Sequence, residues 1–184
     1  MAGKPIKNHQ MARKFSYSEM YDKFRWQEGL KALEWGESPE INLGQTILDR
    51  HTPDKIALHW FGKAGSAQKY TFGDLSRLTN RFANLLRSMG VRKGDRVAGF
   101  LPRIPETLIV MIGTWKAGAS YVPIFTGLGP DAIRFRVQQS QARIICTQWE
   151  HRMRVPQKLP GVQAVISVAG PQGDGLESGD VGIY

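Results

Sequence analysis

The sequence predicts an α/β fold, in which a layered, parallel-rich sheet carries helices on both faces. Short apolar runs that suit buried strands alternate along the middle of the chain with longer segments of helical periodicity. Single helices between strands act as crossover connections, and crossovers join strands that run parallel. With 184 residues, of which 41% are apolar, the chain has enough side chains to bury a sizeable core. A wholly disordered protein is therefore excluded.

We expect two regions, a leader with a helix over residues 1–40 and an α/β subdomain over residues 41–184. In the leader, aromatic and charged residues recur at helical spacing from residue 16 to residue 35, which predicts the helix. The run "INLGQTILDRH" at 41–51 predicts a second, short helix at the start of the subdomain.

A hairpin and an amphipathic helix are predicted next. The runs "KIALHWF" (55–61) and "QKYTF" (68–72) suit two strands, and a glycine-containing loop joins them. From residue 71 to residue 90, apolar side chains recur every three or four positions, which predicts a helix that ends at Gly90. The apolar positions are Leu75, Leu78, Phe82, Leu85, Leu86 and Met89.

The remaining segments complete the predicted sheet. A helix over 104–118 opens with Pro105 and Glu106, which are favoured in a first helical turn, and it is apolar almost all round. We therefore expect this helix to be buried on most sides. The other predicted elements are strands at 96–101, 119–124, 142–147 and 162–168, and a helix at 130–140.

Three loops follow the carboxyl ends of these strands, where open α/β sheets bind their ligands. They read "PRIP" (102–105), "FTGLG" (125–129) and "QWEHRMR" (148–154). In a parallel sheet they share one edge, together with the start of the helix at 130, and such an arrangement favours an anion. The residues concerned are Arg103, Gly127, Gly129, Arg152 and Arg154.

The residue pattern alone leaves the target of these loops open. The chain contains neither a P-loop nor the three-glycine dinucleotide fingerprint. Gly118 reads as the C-cap of the helix before it, and Gly127 and Gly129 could serve a chain reversal alone. Arg152 and Arg154 could be solvated surface charges.

Charge and hydropathy limit the class of partner. The chain has 25 Lys and Arg against 16 Asp and Glu, a net charge of +9 that suits an anionic partner such as a nucleotide, CoA or a nucleic acid. Its basic residues are spread along the chain instead of being clustered with aromatic residues, which disfavours nucleic acid. With no apolar run of membrane-spanning length and no signal sequence, we expect no membrane contact and a cytoplasmic location.

Several kinds of catalytic centre are not supported. The single cysteine, Cys146, lies in a predicted strand, so we expect a buried, inert thiol and no disulfide. Ser120 lies in a predicted buried strand without a nearby histidine base. The four histidines lack the spacing of metal ligands, so no metal site is predicted.

Four motifs together resemble a known family. They are "YTFGDL" (70–75), "GVRKGDRV" (90–97), "LPRIPE" (101–106) and "WKAGASYVPIF" (115–125), and they occur in the order seen in AMP-forming acyl-CoA synthetases. The chain resembles the acetyl-CoA synthetase-like branch of these adenylate-forming enzymes over residues 24–168. The resemblance implies that the fold is part of the large N-terminal domain of such an enzyme.

The resemblance also implies an activity and its cofactors. In the full-length family, a carboxylate attacks ATP in the presence of Mg²⁺ to give an acyl-adenylate and pyrophosphate, and CoA then displaces AMP. The positions of Phe125 and Gly127 match family residues that line the CoA adenine, while Thr126 stands where some relatives have glycine. Arg154, with Arg152 as a second candidate, matches a basic position near the CoA 3′-phosphate.

The catalytic motifs of the family are missing from these 184 residues. No run resembles the Thr/Ser/Gly-rich phosphate loop with its lysine, and the glycine-rich segment at 170–182 is acidic. We therefore expect no catalytic residue, no metal ligand and at most weak CoA contact in this chain. The expected identity is an N-terminal fragment that is inactive alone, with ATP, a carboxylate and CoA as partners of the complete enzyme.

Two alternative functions stay open at this point. A pseudo-enzyme or interaction module could associate with itself or with a full-length synthetase, and the almost wholly apolar segment 107–115 is the surface that suggests it. A basic nucleic-acid-binding module is the other alternative, suggested by the net charge of +9.

Overall fold

A computed structural model describes residues 16–32, 41–168 and 181–183. Contacts within the chain divide it into two compact units, Met1–Asn42 and Leu43–Tyr184. The division into a leader at 1–40 and a subdomain at 41–184 stays a prediction.

The first unit contains two short helices, α1 (Tyr17–Lys23) and α2 (Trp26–Ala32). The single helix predicted from residue 16 to residue 35 is therefore interrupted, and its last residues, 33–35, lie outside the described part. The interruption has a local cause. The Arg25 guanidinium donates to the backbone oxygens of Asp22 (3.3 Å) and Phe24 (2.9 Å), and these bonds satisfy carbonyls at the end of α1.

The second unit alternates strands and helices as the sequence predicted. Its elements are α3 (Leu43–Leu48), β1 (Ile56–Phe61), β2 (Ala67–Thr71), α4 (Phe72–Ser88), β3 (Arg96–Phe100), α5 (Pro105–Lys116), β4 (Ser120–Pro123), α6 (Pro130–Ser140), β5 (Ile144–Gln148), α7 (Trp149–Arg152), β6 (Ala164–Val168) and β7 (Val181–Ile183). The prediction of a loop throughout 148–154 is wrong, because α7 occupies its first part. This helix has only 4 residues, too few to show a helical period in the sequence.

The strands form a parallel sheet with the order β4-β3-β5-β6-β7, while β1 and β2 form a separate antiparallel hairpin. Within the sheet, Gly99 of β3 pairs with Pro123 of β4 on one side and with Cys146 of β5 on the other. The predicted α/β fold is confirmed.

Side chains alternate between the two faces of the sheet, and helices cover both. On one face, Val97 and Cys146 join a core with α4 and α5. On the other face, Phe100 and Ile145 join a core with Ile133 of α6. Cys146 is fully buried, as predicted, and burial raises the pKa of its thiol far above the ordinary value.

Strand β4 differs from its prediction. Ser120 is exposed instead of buried, because β4 lies at one edge of the described sheet and pairs only with β3 within it. Its neighbour Tyr121 covers Gly99, where an added Cβ would lie 2.1 Å from the Tyr121 hydroxyl oxygen. Burial raises the pKa of the Tyr121 phenol to about 12.

Specific capping bonds fix the ends of the long helices. Thr71 and Asp74 form a reciprocal capping box at the start of α4, with the Asp74 N–H 3.0 Å from Thr71 Oγ1 and the Thr71 N–H 3.1 Å from Asp74 Oδ2. Helix α5 ends at Lys116 and is followed by Gly118, whose φ of 82° lies in the left-handed region, and the Ala119 N–H donates to the Thr114 carbonyl at 3.0 Å. This Schellman arrangement confirms that Gly118 is a C-cap.

Helix α5 is covered within its own unit. Its buried residues include Ile109, Val110 and Ile112, which pack in the same core as α4 and the sheet. The predicted burial of this helix is confirmed. The apolar segment 107–115 that suggested association with another protein therefore already has neighbours inside the fold.

A buried ammonium joins α3, α4 and α5. Lys116, whose side chain is only 3% exposed, donates from Nζ to Asp49 Oδ1 at 2.8 Å and to Asn80 Oδ1 at 2.9 Å. Ser76 Oγ donates to the same Asp49 oxygen at 2.6 Å. The helices approach closely here, since a Cβ added to Gly44 would lie 2.6 Å from Lys116 Cγ. The charge is tolerated because it is paired and hydrogen-bonded.

We predict that Asp49→Ala lowers the free energy of unfolding by about 1–2 kcal/mol, because it removes the carboxylate partner of the buried Lys116 ammonium, while the 37% exposure of the Asp49 side chain lets water replace part of the interaction. The exposed carboxylate of Asp54 provides a control, and Asp54→Ala should change stability by about 0.5 kcal/mol or less. Urea unfolding of both variants measures the difference. Equal losses would show that the Asp49–Lys116 pair contributes no more to stability than an ordinary surface carboxylate.

A second polar cluster ties the amino edge of the sheet. Arg143, Asp95 and Gln163 lie just before β5, β3 and β6, respectively. The Arg143 guanidinium donates from Nη1 to Asp95 Oδ2 and from Nη2 to Gln163 Oε1, the latter at 2.8 Å. Arg96 donates from Nε and Nη2 to the carbonyls of Ser140 and Gln141, both at 2.8 Å. Arginine side chains therefore hold the starts of three neighbouring strands and the end of α6.

We predict that the Asp95 contribution to stability depends on pH. The backbone N–H of Arg92, at 2.8 Å, and then the Arg143 guanidinium hold the pKa of the Asp95 carboxyl below its usual range. A lowered pKa in the folded state gives stability that is present above the ordinary carboxyl pKa and is lost as pH falls through the folded value. The difference in urea midpoint between wild type and Asp95→Asn should therefore be largest at neutral pH, and it should shrink as the pH falls below the ordinary range of carboxyl pKa values. A separation that is constant with pH would contradict this.

Candidate functional site

The candidate site lies at the carboxyl edge of the parallel sheet. Strands β3, β4 and β5 run parallel and in register, with Phe100 at the end of β3 opposite Thr147 near the end of β5. The segments 102–105, 125–129 and 148–154, the last of which contains α7, therefore leave the sheet at one edge. This placement confirms the arrangement expected from the sequence.

The loop at 125–129 is a tight turn between β4 and α6. The Leu128 N–H donates to the Phe125 carbonyl at 3.1 Å and closes the turn, and the Gly129 carbonyl accepts from the Ile133 N–H at 3.0 Å in the first turn of α6. Gly129 is the N-cap of α6 and has an extended backbone. Neither Gly127 nor Gly129 has a positive φ, so the reversal itself does not require glycine at either position.

Glycine at position 127 is explained by the neighbouring ring of Phe125. A Cβ added to Gly127 would lie 2.4 Å from Phe125 Cε1, so a side chain there would displace the ring. The Phe125 side chain is 74% exposed. The loop thus presents an aromatic ring to solvent and keeps the adjacent backbone free of a side chain.

Arg154 holds this loop. Its Nη1 donates to the Thr126 carbonyl and its Nη2 to the Leu128 carbonyl, both at 2.7 Å. The guanidinium carbon lies 5.5 Å from the centroid of the Phe100 ring, a cation–π distance. Arg154 is half-buried. It is therefore not a freely solvated surface charge, which was the alternative that the sequence allowed.

The other two arginines have different environments. Arg152 is buried, with 7% of its surface exposed, and its Nη1 donates to the Val155 carbonyl at 3.4 Å. Arg103 is exposed, and its backbone carbonyl accepts a hydrogen bond from Trp60 Nε1 at 2.8 Å. Trp60 is half-buried, and this bond connects it to the 102–105 loop.

Neither a metal centre nor a membrane span is found in the part of the chain that the structure describes. No three His, Cys, Asp or Glu side chains within these ranges come together as ligands for a metal ion. Among the described helices, none is long and apolar enough to cross a bilayer.

A groove of about 530 Å³ lies on another surface of the second unit. It is lined by residues between 48 and 53, at the end of α3, and by residues between 72 and 84, on α4. None of its lining residues comes from the three loops at the carboxyl edge. The candidate site at the carboxyl edge is therefore distinct from this groove.

Comparison with known proteins identifies the family. Residues 48–179 match the family model of AMP-binding enzymes. The chain belongs to this family of AMP-binding enzymes. An acetyl-coenzyme A synthetase of Bacillus subtilis is 37% identical over 161 residues, which cover 84% of this chain and 28% of that protein. Its counterpart in Magnetococcus marinus is 37% identical over 132 residues, or 70% of this chain and 20% of that protein.

Structural comparison agrees with this membership. An acyl-CoA synthetase of Brucella canis superposes with a TM-score of 0.81 and 31% sequence identity, over 90% of this chain and 30% of that one. The resemblance drawn from the four sequence motifs is thus confirmed at the level of the AMP-binding enzyme family. The chain spans less than a third of the length of each of these relatives.

Proposed function

We propose that this chain is the N-terminal α/β part of an AMP-forming acyl-CoA synthetase of the acetyl-CoA type. In the complete protein, ATP, a carboxylate and CoA are converted to acyl-CoA, AMP and pyrophosphate. The family match over residues 48–179 supports the class of reaction. The exposed ring of Phe125 beside Gly127, at the carboxyl edge of the sheet, is the observation that supports a CoA contact.

The loop offers what a purine needs for binding. An exposed aromatic ring provides a stacking surface, and a glycine beside it lets the ligand approach the backbone closely. Phe125 and Gly127 are accordingly the proposed contacts for the CoA adenine. The resemblance places Arg152 and Arg154 as candidates near the 3′-phosphate, since a guanidinium suits a phosphate monoester.

The adenylation chemistry is assigned to other parts of the complete protein. These 184 residues contain no Thr/Ser/Gly-rich phosphate loop with its lysine, so we assign them no catalytic residue and no magnesium ligand. We propose that they do not activate a carboxylate alone and make at most weak contact with CoA. The proposed setting is the cytoplasm, with small-molecule partners and neither nucleic acid nor membrane.

Two measurements test this proposal. The intact mass of the protein captured from its source cells gives the length of the native chain. Purified native protein is then assayed for AMP release that requires both acetate and CoA, with the 184 residues alone as the control. AMP release by a longer native chain, and none by the control, would support the proposal. A native chain of 184 residues that binds no CoA would contradict it and favour a role through partner proteins.

We predict that Phe125→Ala raises the KM for CoA about tenfold in the complete enzyme and leaves the KM for ATP and acetate unchanged. The expected size follows from the loss of one base–aromatic stacking contact, worth about 1–3 kcal/mol. Phe135 on α6 is a matched control, because its side chain is also exposed, at 63%, and lies outside the loop. An equal effect of Phe135→Ala would remove the case for a specific stacking contact.

A further inference from the structure

We propose that Arg154 is a positioning residue that fixes the 125–129 loop for the CoA nucleotide, instead of binding the 3′-phosphate itself. The CoA part of this inference rests on the function proposed above. The structural part rests on the Arg154 contacts alone and is testable without any ligand.

The Arg154 fork bridges two carbonyls of the same turn. Its two terminal nitrogens each donate a 2.7 Å hydrogen bond, one to Thr126 and one to Leu128. Hydrogen bonds from a charged donor are stronger than neutral ones, and two parallel bonds also define the orientation of the acceptor group. A lysine in this place has one compact ammonium and cannot reproduce the planar fork.

These bonds fix the carbonyl side of the loop. Within the turn, the Leu128 N–H closes onto the Phe125 carbonyl at 3.1 Å, and Arg154 occupies the carbonyls of Thr126 and Leu128. The backbone acceptors of the loop are thereby directed towards Arg154, and the Phe125 ring is left on the exposed side. Without Arg154, the loop would keep the turn bond, the Ile133–Gly129 bond and the packing of Leu128 against the core, and the Thr126 and Leu128 carbonyls would lose their charged donor.

Arg154 is itself held by rigid elements. Its backbone N–H donates to the His151 carbonyl at 3.0 Å, in the turn that follows α7. Its guanidinium lies over the ring of Phe100, which is fully buried at the end of β3. Arg154 therefore connects the end of β3, the loop after β4 and the segment after β5, the three places where the predicted site is built.

This geometry disfavours direct phosphate binding by Arg154. The loop carbonyls take one N–H from each terminal nitrogen, which leaves a phosphate at most the other three N–H groups of the guanidinium. A phosphate that bound through the N–H groups already in use would displace the carbonyls and release the loop. A role in preorganising the loop uses the same bonds without breaking them.

The first test is hydrogen exchange in the ligand-free complete protein. We expect Arg154→Gln and Arg154→Lys both to speed exchange of the Leu128 amide, since its turn loses the clamp. Arg134→Gln serves as a control, because Arg134 is an exposed arginine on α6 that pairs with Asp131 at 3.3 Å. Unchanged exchange in both Arg154 variants would overturn the proposed clamp.

The second test compares CoA with its analogue that lacks the 3′-phosphate. A positioning role predicts that Arg154→Gln raises the KM for CoA and the KM for the analogue by the same factor, about 10- to 100-fold. It also predicts that Arg154→Lys restores neither KM to the wild-type value. A rise for CoA alone, with rescue by lysine, would overturn the proposal in favour of direct phosphate binding. Faster exchange with no change in either KM would instead show that the clamp exists and that the loop does not contact CoA.

Discussion

The parallel pairing of β3 with β4 on one side and β5 on the other is the constraint on which the candidate site depends. Because the three strands run in the same direction and in register, their following loops emerge at one edge of the sheet. The pairing is tight: Gly99 in β3 lies under Tyr121, with no room for a Cβ. At the opposite edge, Arg96 and Arg143 bind the segments before the strands, so both ends of this layer are fixed by arginine side chains.

The contacts that arginine and lysine side chains make within the protein change how its basic composition is interpreted. The net charge of +9 suggested an anionic partner, yet several of the basic side chains bind groups of the protein itself. Lys116 neutralises Asp49 between three helices, Arg143 pairs with Asp95, and Arg154 binds loop carbonyls. Net charge is therefore a weak indicator of a ligand here, and the geometry of individual cations carries more information.

Local patterns in the sequence predicted the fold well. Helices α4, α5 and α6 and strands β3 to β6 follow from apolar periodicity and from residues typical of helix ends, such as Gly118 after α5 and Pro130 at the start of α6. The roles of Trp60 and Arg154 were not predictable in this way, because their partners lie 43 residues away for Trp60 and 26 and 28 residues away for Arg154. Such contacts depend on the tertiary fold and leave no periodic signal. The four family motifs pointed to the correct family, while the roles of Phe125 and Gly127 came from resemblance and stay predictions.

The most direct measurement of the central claim is photoaffinity labelling of the complete protein with an 8-azidoadenine analogue of CoA. If the adenine contacts the 125–129 loop, the label will be recovered in the tryptic peptide 117–134, and excess CoA will prevent labelling. Label in the protein that CoA displaces, but that maps entirely outside this peptide, would contradict the placement of the CoA nucleotide at the carboxyl edge of this sheet.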